Sequence, residues 1–344
     1  MGNILNLHDG YPLEVHKGLI DIISSPFNLN KAQNTIIGET LKYFEPGVQI
    51  NTGDFYLREK QIVDSLKELY QKEKVLPSIH QKNNIQPLNS SRDFKKELIS
   101  NIKKTEEIWS NNICVHLPVR KQDDTDEVIQ NLTKPELLKV MKAHPSISID
   151  LENNHHNSYF GNLYHCTHLL ERLDDKLEDL GKSNLKENFN LTFDYGHFVT
   201  QAYYLKYDKR EMLFDFYKNS GKRIRTIHAH NNDGIHKDQH LLLGLTPQIS
   251  KEKSNMGFIG NKKVNLSKLK ENEKLFFETL PELEWVKRAK KNRLGVKKIK
   301  RDGIEKERKH STNLSQNTNF VIEIDSKYSK NGIITFIERI CEKL

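Results

Sequence analysis

SISIDLE, Ser146 to Glu152, is a short apolar, β-branched run that ends in an acid. Its length and β-branched content read as a buried strand. Seven further runs have the same character: PLEVH (Pro12 to His16), GVQI (Gly47 to Ile50), LPSIH (Leu76 to His80), NICVH (Asn112 to His116), LTFD (Leu191 to Asp194), IRTIHAH (Ile224 to His230) and FVIEI (Phe320 to Ile324). Between them lie helix-like segments, among them residues 61–74, 93–109, 135–144, 166–180 and 211–221. In the first of these, Ile62, Val63, Leu66 and Leu69 follow the 3.6-residue period. Strand and helix alternating over this length predict a parallel sheet, and eight units predict a closed (β/α)8 TIM barrel.

The spacing of the strand ends supports that fold class more strongly than any one segment. His80 to His116, His116 to Glu152 and Asp194 to His230 are each 36 residues apart, and Glu152 to Asp194 is 42. From His230 to Glu323 the interval is 93 residues. The excess predicts an insertion, residues 245–319, in the seventh βα connection of a single domain spanning 1–344.

Lys and Arg number 54 against 46 Asp and Glu, for a net charge of +8, but that charge is local. Residues 287–309 hold twelve basic and three acidic side chains, which leaves 42 basic against 43 acidic elsewhere. Lys287, Arg288, Lys290, Lys291, Arg293, Lys297, Lys298, Lys300 and Arg301 are therefore candidate nucleic-acid contacts, although such a run is more often a solvated segment. It contains no aromatic residue to stack a base. No stretch of 18 apolar residues occurs, and the first residues lack a basic region followed by an apolar one, so a soluble, cytoplasmic protein is expected. Cys114, Cys166 and Cys341 stand far apart, which fits a reducing compartment and forms no metal knuckle.

In a parallel barrel the C-terminal strand ends meet on one face, so distant residues converge there. His80, His116, Glu152, Asp194, His230 and Glu323 end six of the strands read above or lie next to their ends. One such residue is ordinarily a polar rim group, but six at regular intervals point to a shared site. FDYGH adds His197, three residues after Asp194. Asp238 and His240 alternate as an extended segment would, so both project to one side. Imidazole with carboxylate is the ligand set for zinc, iron or manganese. His228 would point the same way as His230 but one layer deeper, as a core or supporting residue. Cys114 reads as a small core residue, and His155, His156, His165 and His168 as polar loop or helix residues. Glu14 and His16 end the first run with no role fixed by spacing.

On these residues the chain resembles the xylose isomerase-like barrel superfamily, which includes endonuclease IV-type apurinic/apyrimidinic endonucleases and sugar isomerases and epimerases. The endonuclease pattern D-x-x-H matches Asp194 and His197, H-x-N-D matches His230, Asn232 and Asp233, and D-x-H matches Asp238 and His240. The segment from Glu152 with Asn153 and Gly161 resembles that family's fifth-strand region. With His80, His116 and Glu323 the resemblance implies a nine-ligand, trinuclear site. The implied cofactors are divalent metal ions, zinc foremost and up to three, with manganese or iron as alternatives. Departures are equally specific. Asn83 stands where the endonucleases have a tyrosine, Gly244 is followed by Leu-Thr-Pro where the isomerases have Glu-Gly, and His236 occupies a position where epimerases carry arginine.

Two activities follow from the resemblance. In phosphodiester hydrolysis, as in the apurinic/apyrimidinic endonucleases of DNA repair, metal-bound hydroxide attacks phosphorus and Glu152 bridges two metals. In isomerisation or epimerisation of a sugar or sugar phosphate, one metal is held by Glu152, Asp194, His230 and Glu323. Glu152 and Glu323 then exchange a proton with the carbon beside a carbonyl, while His80, His116, Asp238 and His240 contact substrate. A third class is a barrel repurposed for binding a partner through its basic run. Deleting residues 287–309 tests the nucleic-acid contact: affinity for duplex DNA should fall and its salt dependence flatten, and unchanged affinity at low salt would count against the contact.

Overall fold

Eight parallel strands close into a barrel in the computed structural model, in the order β1-β10-β7-β6-β5-β4-β3-β2. In chain order the strands are β1 (Asn3–His8), β2 (Phe44–Asn51), β3 (Leu76–His80), β4 (Asn112–His116), β5 (Ser148–Glu152), β6 (Phe189–Asp194) and β7 (Ile224–Ala229). An antiparallel hairpin, β8 (Met256–Ile259) and β9 (Lys262–Asn265), precedes the last barrel strand, β10 (Asn319–Ile322). The helices are α1 (Phe94–Glu107), α2 (Thr125–Leu132), α3 (Pro135–Ala143), α4 (Leu163–Asp179), α5 (Tyr195–Leu205), α6 (Lys209–Ser220) and α7 (Leu266–Thr279). The structure describes residues 3–8, 44–51, 76–81, 84–90, 93–155, 157–236, 239–241, 243, 256–259, 262–283 and 319–322, with single helical residues 64, 67, 68, 71, 336, 339 and 340.

The runs expected at 76–80 and 112–116 are the strands themselves, and five others overlap theirs. The first is a correction. Asn3–His8 takes the first barrel position, paired in parallel with β2 and β10, while Pro12–His16 lies outside the described residues. Asparagines interrupt the apolar residues of NILNLH, so it lacks the continuous β-branched run on which the sequence reading relied.

The strands owe their two faces to a period of two residues. Ile113 and Val115 of β4, Ile149 and Leu151 of β5, Leu191 and Phe193 of β6, and Ile227 and Ala229 of β7 are all buried in one apolar cluster. That cluster also takes in Leu98 and Ile102 of α1, Leu169 and Leu173 of α4, Phe198 of α5 and Phe216 of α6, so it fills the layer between sheet and helices. Leu275, Phe276 and Phe277 of α7 belong to it too, so part of the long connection between β7 and β10 packs against the barrel.

The alternate residues meet across the barrel axis and are polar. Asn112 on β4 donates to Thr226 on β7 (3.2 Å) and to Asp150 on β5 (3.1 Å), although β4 and β7 are not neighbours. Thr226 donates to Asp150 (2.8 Å), Ser148 donates to the other Asp150 oxygen, and Asn190 donates to Ser148 (2.8 Å). Barrels of this class usually fill that space with branched apolar side chains. Here burial pushes the Asp150 carboxyl up, opposed by hydrogen bonds from Ser148, Thr226 and Asn112.

Phe193 is fully buried and its ring meets those of Tyr195, Phe198, Phe216 and Tyr217. Phe193→Ala should lower stability by about 3–5 kcal/mol, measured by urea denaturation. A loss under about 1 kcal/mol would contradict the sheet-to-helix packing described above.

Candidate metal centre

The interior alternation carries upward to the C-terminal strand ends, where polar side chains give way to metal-ligand types. Glu152, at the end of β5, is the hub. Its Oε2 lies 3.2 Å from His80 Nε2 and 3.4 Å from His116 Nδ1, and its Oε1 lies 3.0 Å from His228 Nδ1 and 3.9 Å from His197 Nδ1. The Cys114 thiol donates to Oε2 at 3.2 Å. Glu152 is 1% exposed, so this is a buried carboxylate and not a rim group. Burial opposes ionisation there. The positive charges of His116 and His228, with hydrogen bonds from His228 and His80, nevertheless hold the carboxyl well below the usual range. Burial and the Glu152 charge push the Cys114 thiol up.

Asp194 forms the second centre. Both of its oxygens lie 3.1 Å from His230 Nε2, and its Oδ1 caps α5 by accepting from the His197 backbone N–H at 2.6 Å. Burial raises its pKa, but His197 and His230 together bring it below the ordinary value. The His230 ring stacks on His240 with centroids 4.4 Å apart. It also lies directly over Gly196, where any Cβ would collide with the imidazole, which accounts for the glycine of FDYGH.

Two histidines are aimed by the backbone. His80 Nδ1 lies 3.1 Å from the Gln81 carbonyl and His197 Nδ1 2.9 Å from the Asn153 carbonyl. A carbonyl only accepts, so Nδ1 carries a proton and Nε2 is the nitrogen turned to the site. His80 Nε2 and Glu152 Oε2 stand 3.2 Å apart, a contact that a proton bridges as a hydrogen bond and that a cation could take over. Imidazoles fixed in this way by a carbonyl are typical of metal ligands. Three overlapping groups have ligand atoms within 4.8 Å of one another: His80, Cys114, Glu152 and His228; Glu152, Asp194 and His197; and His197, His230 and His240. The donor chemistry thus suits a divalent cation.

Of the nine ligands expected from the sequence, His80, His116, Glu152, Asp194, His197, His230 and His240 come together here. Asp238 and Glu323 lie outside the described residues, as do Asn83, His156, Gly244 and the basic run 287–309. His155 reaches the site edge, its ring 5.6 Å from that of His197. His165 stacks on Tyr159 at 3.8 Å, and His168 is exposed beside Glu171. His236 is taken by Asp233, with Nδ1 2.6 Å from Oδ2.

Cys114 and Asn153 gain roles that sequence reasoning did not assign, and His228, read there as a core or supporting residue, gains a specific partner. Cys114 and His228 both touch Glu152, and a signal for them existed: each stands two positions before an expected ligand, on the same strand face. Asn153 braces the ends of β5 and β6. Its side chain donates to the Asp194 carbonyl (3.0 Å) and accepts from the Asp194 N–H (2.7 Å), while its own carbonyl orients His197.

No protein-family model matches the chain, and no curated protein is similar to it in sequence. Solved structures do match. A D-tagatose 3-epimerase-like protein aligns with a TM-score of 0.53 at 16% identity, over 99% of this chain and 96% of the other. The chain therefore shares the barrel fold of that D-tagatose 3-epimerase-like protein. An L-ribulose 3-epimerase aligns at TM-score 0.48 and 10% identity, over 99% of this chain and 93% of its own. A probable 3-DHS dehydratase, AsbF from Bacillus anthracis, gives TM-score 0.48 at 12% identity, over 98% and 97%. Among the described residues no helix is long and apolar enough to cross a membrane.

If Asn153 orients the candidate metal centre, Asn153→Ala should weaken divalent-metal affinity roughly 10- to 100-fold with the far-ultraviolet circular dichroism unchanged. Titration calorimetry measures this, and wild-type affinity in the variant would refute the bracing role.

Proposed function

We propose that the chain is a divalent-metal-dependent isomerase or epimerase of a sugar or sugar phosphate. The observation that carries this reading is Glu152, a buried carboxylate inside the barrel mouth with a ligand atom within 4.8 Å of those of Asp194 and His197. The whole-length fold match to a D-tagatose 3-epimerase-like protein supports it. A cation held by Glu152, Asp194 and His230, with Glu323, supplies a Lewis acid for the substrate carbonyl oxygen. The ionised Glu152 then accepts the proton from the carbon beside that carbonyl. Glu323, next in sequence after the last residue of β10, is assigned the acid that returns a proton on the opposite side. His116 and His240 are assigned contacts to substrate hydroxyls or phosphate, and the location is taken as cytoplasmic.

A second reading, phosphodiester hydrolysis, has its own observation. His80 and His197 are both turned by carbonyls to present Nε2, and with His116 and His240 they exceed what one cation uses. In that reading Glu152 would serve more than one cation, and Asp238 and His240 would supply further ligands. Nucleic acid would then be the substrate, with the 287–309 run contacting its backbone.

Incubation of metal-loaded protein with ketoses and ketose phosphates in deuterated water separates the two. Isomerisation or epimerisation should incorporate solvent deuterium at one carbon, and Glu152→Gln should slow it by about 10²–10⁴-fold. Cleavage of abasic-site duplex DNA with no deuterium uptake on any sugar would replace the isomerase reading with the hydrolytic one.

A further inference from the structure

Beneath the Asp194 and His230 ligands lies a second constellation drawn from four strands. His80 of β3, Cys114 of β4, Glu152 of β5 and His228 of β7 are each no more than 2% exposed, and one ligand atom from each lies within 4.8 Å of the others. Around Glu152 the separations are 3.2 Å from Oε2 to His80 Nε2, 3.2 Å from Oε2 to Cys114 Sγ and 3.0 Å from Oε1 to His228 Nδ1. A tetrahedral zinc ion with bonds of about 2.0–2.3 Å spaces its ligand atoms roughly 3.3–3.8 Å apart, a range that side-chain adjustment reaches from ligand atoms all within 4.8 Å of one another.

We infer that these four residues form an inner cation site with a thiolate ligand, distinct from the cation position at Asp194 and His230. This deepens the proposed function and rests on its premise that Glu152 serves a cation. Two consequences follow from ligand type. Sulfur selects zinc or cobalt over magnesium and manganese, which prefer oxygen. Four protein ligands in a closed set leave no position for water or substrate, as in structural rather than catalytic zinc sites. The inner ion would therefore fix Glu152 from below while its chemistry proceeds at the mouth. Cys114 and His228 are positioning residues in this scheme, and neither touches substrate.

X-ray absorption at the zinc edge tests the inference on the full-length protein loaded with zinc alone. Wild type should show a sulfur shell at about 2.3 Å beside nitrogen and oxygen at about 2.0–2.2 Å. Cys114→Ser should lose the sulfur shell, and Asp194→Asn should keep it. A double variant, Cys166→Ala with Cys341→Ala, leaves Cys114 as the sole thiol and should keep it as well. This arm decides the matter if Cys114→Ser does not fold, because loss of the shell there assigns the sulfur elsewhere and overturns the inference. Zinc bound by wild type with nitrogen and oxygen only would overturn the inner site and leave the proposed function standing. Failure of wild type to bind zinc, manganese or cobalt at all would overturn both.

Discussion

A carboxylate buried at 1% exposure governs the architecture of the barrel mouth. An isolated charge in such a place costs several kcal/mol, so Glu152 is tenable only because other strands bring compensating groups to it. His80, His116 and His228 arrive from β3, β4 and β7, and Cys114 adds a donor. The dependence is mutual. Without the carboxylate, several imidazoles would crowd one another in a space closed to water, with His80 and His116 ring centroids 4.7 Å apart and His80 and His228 5.5 Å apart. A divalent cation would satisfy both sides, which is why donor identity and burial together point to metal.

The polar barrel interior extends this logic downward. Asn112, Ser148, Asp150, Asn190 and Thr226 occupy positions that a typical barrel gives to branched apolar residues. Stability then falls to the layer between sheet and helices, where Phe193, Tyr195, Phe198, Phe216 and Phe276 are buried in one cluster. These side-chain hydrogen bonds resist rearrangement, because each buried group is costly to leave unpaired, and only Asn112 Oδ1 and Asn190 Oδ1 of this set go without a partner. Asp150 accepts from three side chains on β4, β5 and β7 and so ties together strands that do not all pair with one another.

Much of this was legible in the chain, and what was not has physical reasons. Regular spacing from His80 through His230 marks the strand ends because each βα unit needs a similar length to cross the barrel wall and return. β1 escaped because its apolar residues alternate with asparagine. α5 escaped because residues Tyr195 to Ala202 are buried throughout, so it has no amphipathic stripe to betray it. Cys114 and His228 were visible as residues two positions below expected ligands, but only the cross-barrel geometry, β4 and β7 both facing Glu152, separates an idle core residue from a contact. Asn153 was marked only by its place after Glu152 in the fifth-strand segment, and its brace between consecutive strand ends needed the geometry.

The segment after β7 shows how a polar turn can be fastened from several sides. His236 donates its ring N–H to Asp233 Oδ2 at 2.6 Å. Asp233 in turn accepts from the backbone N–H groups of Ile235, His236 and Asn265, and its own N–H donates to Gln239. Asn272 of α7 donates to the Asn232 carbonyl at 2.7 Å, and Asn231 donates to the Leu269 carbonyl at 3.1 Å. The turn that carries His240 to the face of His230 is thus fastened to α7 and to the end of β9. Among the described residues, the long connection between β7 and β10 contributes α7 both to the apolar layer and to the support of His240. A cationic arginine at position 236 would have to abandon the Asp233 turn or compete with it for the same carboxylate.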